Sequence, residues 1–310
     1  MTRAPFYDET ADAPTGGSAT WLTTDDGVTV RAGYWPHDQP RGTVFFFTGR
    51  CEFIEKYGRN ASEFARRGLA VVAVDWRGQG LSDRLLKDPN TGHVDKFQDY
   101  QRDVRALLAY AEEIDAPKPW FMLGHSMGGA IGLRALIDGH AFKAAAFSAP
   151  MWGIVIAPSL RQLSQVLPRV ATSLGFGGRY APTTGGASYL LTAEFEDNQL
   201  TTDPEAWAHM QDLAQLQPRF QLGGPSLTWL AEALAETRAL AAAPRPNVPM
   251  HVSVGTEEEI VQIDAIEAMA ADWPGATIEV IKGAEHELLM ERADVRLPFI
   301  DRIVATFGLD

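Results

Sequence analysis

A serine hydroxyl becomes a useful nucleophile only where the backbone presents it and a base can take its proton. Gly124-His125-Ser126-Met127-Gly128 spells G-x-S-x-G, the sharp strand-to-helix turn that exposes such a serine. Flanking glycines suit a turn that strains its dihedrals and brings strand and helix together. With 11 serines and 28 glycines in 310 residues, about 0.09 such pentapeptides are expected by chance. The partners must therefore decide the matter. They should follow in the order Ser, then Asp or Glu, then His. Of seven histidines, His286 alone falls on a loop after the last expected strand, in Gly283-Ala284-Glu285-His286-Glu287. His125 lies inside the turn and His251 inside a strand, where both read as structural. The acid should follow the strand Met250–Val254, where the chain reads Gly255-Thr256-Glu257-Glu258-Glu259-Ile260-Val261. Consecutive glutamates ordinarily make a solvated loop, but this chemistry needs one turned inward. Glu258 is favoured, with Glu257 and Glu259 as the alternatives.

An oxyanion forming at the attacked carbonyl needs backbone N–H donors. One expected donor is Met127, directly after the serine. The other is Arg50, on the loop Thr48-Gly49-Arg50 that follows the strand Thr43–Phe47; Gly49 lets the backbone come close. Cys51, the single cysteine, lacks such a turn and ordered partners, so it reads as a small, partly buried thiol.

Trp120–Leu123 reads as a buried strand before the serine. Gly129–Leu136 reads as a tightly packed helix after it. Thr20–Thr24 and Val28–Tyr34 flank Asp25-Asp26-Gly27, a hairpin signal. Further strands are expected at Leu69–Val74, Phe142–Phe147 and Thr277–Ile281. Helices are expected at Phe53–Arg67, Asp99–Glu112, Ile263–Ala271 and up to Phe307. Alternation of this kind predicts an α/β fold with a mostly parallel central sheet and helices on both faces. It stops after Ser148-Ala149-Pro150 and resumes near Met250. The expected organisation is a core of residues 1–150 and 241–310, with 151–240 inserted as a helical cap.

The chain has a net charge of −13, a pI near 5.0 and 45% hydrophobic residues. That supports one large core. No basic block favours nucleic acid as a partner. No start resembling a signal peptide and no run of 18 apolar residues occurs, so a cytoplasmic location is expected. One cysteine makes neither an intrachain disulfide nor a cysteine-rich metal site, and no cofactor or metal is expected. Gly78-Gln79-Gly80 lacks the partners of a nucleotide site and reads as a turn.

Several stretches together resemble the α/β-hydrolases of the lysophospholipase and monoacylglycerol lipase group, serine aminopeptidase S33-like. Thr48 to Tyr57 is similar to the family's G-R-x-E-x-x-E-K-Y stretch. Asp75-Trp76-Arg77-Gly78-Gln79-Gly80-Leu81-Ser82 is similar to its D-x-R-G-x-G-x-S loop. Gly92-His93-Val94 with Phe97, Asp99 and Tyr100, Gly124 to Gly129, and Ser148 to Met151 complete the likeness. The resemblance runs from about Gly42 onward and implies a serine hydrolase. It implies Ser126, Glu258 and His286 as the triad, with Arg50 and Met127 at the oxyanion hole. Thr48 stands where many relatives carry His, and Glu258 where Asp is usual.

Leu160, Leu163, Leu167, Val170 and Leu174 form an apolar stripe at helical spacing, despite Pro168, with Arg161 and Arg169 off it. Such a face packs on the protein itself, or lines an acyl channel and makes transient contact with a lipid surface. Met151, Trp152, Trp207, Phe220 and Trp229 are further large groups available to packing or to a pocket. With the resemblance, the cap points to a small-molecule acyl ester, a lysophospholipid or monoacylglycerol. The alternatives are a short-chain carboxylesterase, hydrolysis of amide or carbon–carbon bonds, and a non-catalytic ligand-binding member of the fold.

Overall fold

The computed structural model describes residues 1–156 and 170–309. Leu160, Arg161, Leu163, Leu167, Pro168 and Arg169 of the predicted stripe lie outside the described residues; Val170 and Leu174 are exposed. The strands are β1 (Thr2–Arg3), β2 (Ser18–Thr23), β3 (Thr29–Trp35), β4 (Thr43–Phe47) and β5 (Ala70–Asp75). They continue with β6 (Trp120–His125), β7 (Ala144–Ser148), β8 (Met250–Gly255) and β9 (Ala276–Ile281). They form one sheet in the order β1-β2-β3-β5-β4-β6-β7-β8-β9. The first four in that order are joined by antiparallel pairings, and the rest are parallel.

Side chains alternate between faces, so each apolar run serves two cores. Phe45 and Phe47 pack on one face with Val104, Leu107 and Ile131. These come from helices α2 (Tyr100–Glu113) and α3 (Met127–Ile137). Val44 and Phe46 pack on the other face with Phe64 and Ile303. Phe64 belongs to α1 (Gly58–Ala65), and Ile303 to a C-terminal helix, Ala293–Thr306. Burying each such phenylalanine is worth about 1.5–3 kcal/mol. Two-sided burial explains why these strands read as continuous apolar runs rather than alternating ones.

One expectation needs correction. The stretch Phe53–Arg67 is not one helix: a 3₁₀ turn at Ile54–Tyr57 precedes α1. Asp75 takes the Ile54 N–H at 2.8 Å, and a Cβ on Gly58 would stand 2.1 Å from the Ala11 carbonyl oxygen. Tertiary contacts therefore set where the helix begins. The N-terminal residues join the sheet. β1 pairs with β2, Ala4 and Ala11 are buried, and Phe6 packs on Trp35 at 5.6 Å between ring centroids.

Between β7 and β8 no strand of the sheet occurs among the described residues. Two helices stand out there, Pro204–Leu216 and Leu227–Ala242. The first is capped by Asp203, whose side chain accepts from Glu205 and Ala206 N–H, with proline at its first position. The second is capped by Ser226, whose hydroxyl oxygen accepts from Trp229 N–H at 3.0 Å. This segment sits on the sheet's C-terminal edge. Phe220 stacks on Phe53 with centroids 4.0 Å apart, and Trp229 Nε1 donates to the Tyr100 hydroxyl at 3.1 Å. No described helix is long and apolar enough to cross a membrane.

Candidate active site

Ser126 sits between β6 and α3 with φ 49° and ψ −119°, a left-handed conformation that an L residue rarely holds. Its surroundings over-determine it. The Ser126 N–H donates to the Ser148 carbonyl at 3.1 Å, and its own carbonyl accepts from Gly129 and Met151 N–H. A Cβ on Gly128 would fall 1.9 Å from the Phe47 carbonyl oxygen, so only glycine lets the helix come this close. The Ser126 hydroxyl has no hydrogen-bond partner among the described residues. It faces a cavity of about 300 Å³ that His286, His125, Arg50 and Glu52 also line.

His286 follows β9 and is buried. Its Nδ1 lies 2.6 Å from Glu258 Oε2. The other Glu258 oxygen accepts from Ile260 N–H at 2.6 Å and Val261 N–H at 2.9 Å. Burial alone would push this carboxyl up; the His286 bond and charge and the two N–H groups outweigh it and hold it below the usual range. Glu257 and Glu259 are exposed, bonded to Thr256 and Gln199 instead. The structure thus brings one of the three glutamates to His286. It places His286 on the Ser126 cavity with no hydrogen bond to the Ser126 hydroxyl, a looseness common before substrate binds.

The loop after β4 is held from behind. Gln79, in the Gly78–Gly80 turn, donates Nε2 to the Gly49 carbonyl at 2.8 Å and the Glu52 carbonyl at 3.0 Å. In a trans peptide the carbonyl and the next N–H point opposite ways. Fixing the Gly49 carbonyl on Gln79 therefore turns the Arg50 N–H the other way. Met127 is the first residue of α3, where no i−4 carbonyl is available to its N–H.

Sequence reasoning missed a buried charged group beside these residues. Lys56 Nζ sits 2.7 Å from Glu52 and 2.5 Å from Glu287. Glu52 also accepts from Tyr57 Oη at 2.5 Å and from Gly49 N–H. Burial opposes charge on Glu52, but Lys56 and His125 outweigh it and hold its carboxyl at about 2. His125 packs on His286 with ring centroids 4.8 Å apart, and burial pushes its imidazole down to about 4. Glu52, His125 and Glu287 could supply ligands to a metal, their ligand atoms lying within 4.8 Å of one another. The Lys56 ammonium already stands against both carboxylates. Glu52 and Lys56 at i, i+4, and Glu287 next to His286, were the available signals.

Apolar side chains close the rest of the cavity: Met151, Leu190, Trp229, Ile260 and Val261. Met151 and Trp229 thus serve the cavity. Trp152 packs on Phe147, Trp207 on Tyr189 and Phe220 on Phe53. The segment before β8 also clasps the His286 loop. Glu287 N–H donates to the Leu200 carbonyl at 2.8 Å, and Glu291 accepts from the Thr202 hydroxyl at 2.5 Å. His251 is paired with Thr277 and Ser253 at 2.8 Å each, far from any such role. Cys51 is a half-buried free thiol.

Comparison with known proteins agrees with this architecture. Residues 38–293 match the family model for serine aminopeptidase, S33. The chain is 34% identical over 285 residues to lysophospholipase L2 of Escherichia coli, covering 88% of this chain and 81% of that protein. It is 30% identical over 263 residues to a probable lysophospholipase L2 of Haemophilus influenzae, covering 84% and 82%. Among solved structures, a soluble variant of Saccharomyces cerevisiae monoglyceride lipase in complex with a substrate analog superimposes with TM-score 0.72. It shares 19% identity over 94% of each chain, a likeness of fold. With a parallel sheet presenting Ser126 at its C-terminal edge and a family match across most of its length, the chain belongs to the serine aminopeptidase S33 family of α/β-hydrolases, and it is a hydrolase.

Proposed function

We propose that the protein hydrolyses carboxylic esters of single-chain acyl lipids, lysophospholipids or monoacylglycerols, through an acyl-enzyme on Ser126. The observation that carries this reading is the Glu258–His286 pair at 2.6 Å, buried on the same cavity as an unpartnered Ser126 hydroxyl. Ser126 Oγ attacks the ester carbonyl while His286 Nε2 takes its proton. Glu258 holds the Nδ1–H tautomer and stabilises the imidazolium that forms. The N–H groups of Arg50 and Met127 receive the oxyanion. His286 then returns the proton to the leaving alcohol, and water repeats the sequence to release the fatty acid. Residues 151–240 act as a cap on a core of 1–150 and 241–310, with Met151, Leu190 and Trp229 offering an apolar wall to the acyl chain. The lysophospholipase L2 relatives support the lipid class.

A fluorophosphonate probe tests the machinery. Labelling should map to Ser126 and vanish in Ser126→Ala and His286→Ala; labelling that persists in Ser126→Ala overturns it. A chain-length series of p-nitrophenyl esters tests the substrate. Turnover confined to acetate would leave a short-chain carboxylesterase.

A further inference from the structure

Arg50 has two separable parts. Its N–H is a proposed oxyanion donor; its guanidinium lines the cavity for another purpose. The guanidinium lies over the Trp229 indole, with Cζ 5.4 Å from the ring centroid. Nη2 donates to the Gly223 carbonyl, and Nη1 lies 3.1 Å from Cys51 Sγ. Gly92 leaves the space it occupies: a Cβ there would stand 2.7 Å from Nη2. The indole and the carbonyl carry no charge, and Nε is buried with no hydrogen-bond partner. Among the described residues no carboxylate lies within ion-pair distance of it.

A second guanidinium, that of Arg84, lies within electrostatic reach of Cys51. Its Nη2 donates to the Arg219 carbonyl, while its Nε and Nη1 are buried without partners. Burial, then the neighbouring Arg219 charge, pushes it down to about 10. Arg219 itself donates to the Leu81 and Ser82 carbonyls at 2.6 and 3.0 Å. The Asp75 charge offsets this only in part and from beyond ion-pair distance, its oxygens being taken by Arg31, Ile54 N–H and Leu81 N–H. On the His286 side of the cavity, by contrast, Glu52, Lys56 and Glu287 close on one another.

Desolvated cations without an ion-pair partner are costly to hold. Arg50 brings one to a corner of the cavity that Ser126 faces, and Arg84 stands in reach of Cys51 at that corner. We propose that this corner, with Arg50 on the cavity and Arg84 behind it, receives the phosphate of a substrate head group, making lysophospholipids preferred over neutral monoacylglycerols. The inference rests on the proposed ester hydrolysis at Ser126 and deepens it. In a lysophospholipid the phosphate lies one glycerol's length from the ester, which suits an Arg50 guanidinium lining the same cavity as the serine.

The test compares a lysophosphatidylcholine and a monoacylglycerol of equal acyl chain, both below aggregation. Wild type should favour the lysophospholipid in kcat/KM. Arg50→Met and Arg84→Met should each lower the lysophospholipid-to-monoacylglycerol ratio roughly tenfold or more, as expected for a lost charged hydrogen bond. Arg50→Lys should recover part of it. An unchanged ratio in both methionine variants, or a wild-type preference for monoacylglycerol, overturns the proposal. Calorimetry on Ser126→Ala with glycerol 3-phosphate separates this from failure of the ester chemistry. Binding weakened by Arg84→Met supports the corner even if neither lipid is cleaved; absent binding overturns it. Equally strong binding of inorganic phosphate assigns the corner to free phosphate and overturns the head-group role. If Arg84→Met does not fold, Arg84→Gln takes its place.

Discussion

Glu258 spends both oxygens on a single task. One faces His286 at 2.6 Å, and the other takes two backbone N–H groups that stop the side chain from turning away. Glu258→Gln keeps the shape but loses the charge and favours the wrong tautomer, so kcat should fall about 10²- to 10⁴-fold on p-nitrophenyl ester. Glu257→Gln and Glu259→Gln, whose side chains bond elsewhere, should stay within about twofold. Equal losses in all three would refute the assignment. That Ser126 and His286 meet on one cavity was legible in the chain, because strand-loop order restricts where a proposed nucleophile and its base can sit. Glu258 was not fully so. Its identity depends on the N–H groups of Ile260 and Val261, and spacing does not reveal which way a loop's amides point.

At the scale of elements, Lys56 joins two loops that chemistry must hold in step. Through Glu52 it reaches Gly49 on the loop after β4; through Glu287 it reaches the His286 loop. Lys56→Met would leave two buried carboxylates facing each other. Removing one partner of a buried ion pair costs about 3–5 kcal/mol, which urea unfolding should register as a lower midpoint at unchanged slope. A loss below about 1 kcal/mol would show that the pair is not a structural tie. The second element-level device is the close approach at Gly128. Gly128→Ala sets a methyl against the Phe47 carbonyl and should yield little folded protein, read by near-UV circular dichroism. The elbow's strand and helix were readable from apolar runs. The break of Phe53–Arg67 into a turn and a helix was not, because Asp75 and Ala11, distant in sequence, impose it.

Over the whole molecule, burial leaves a mark on pH dependence. His251, paired with Thr277 and Ser253, is pushed down to about 4 by burial and by Arg302. In the unfolded chain it titrates near 6.5. Between those values the unfolded state binds more protons, so this residue's contribution to stability falls as pH drops from about 6.5 towards 4. His251→Asn should flatten the slope of unfolding free energy in that window by up to about 1.4 kcal/mol per pH unit. A slope unchanged from wild type would contradict it. The N-terminal strand shows where reading at this scale stopped. Met1 to Thr20 is polar in composition, and nothing local marks Ala4 and Ala11 as covered by the rest of the chain.

β7 and β8 lie side by side, Ser148 opposite Ser253, although a hundred-odd residues run between them. During synthesis the chain therefore makes its serine turn long before it makes the strands that carry Glu258 and His286. A nascent chain that has reached only the residues before β8 lacks the proposed base and acid of Ser126. Loop closure over that distance must then bring β8 home before the proposed machinery exists. The order of the strands thus sets an order on the proposed chemistry: the Ser126 hydroxyl has neither its proposed base nor its proposed acid until residues 258–286 are in place.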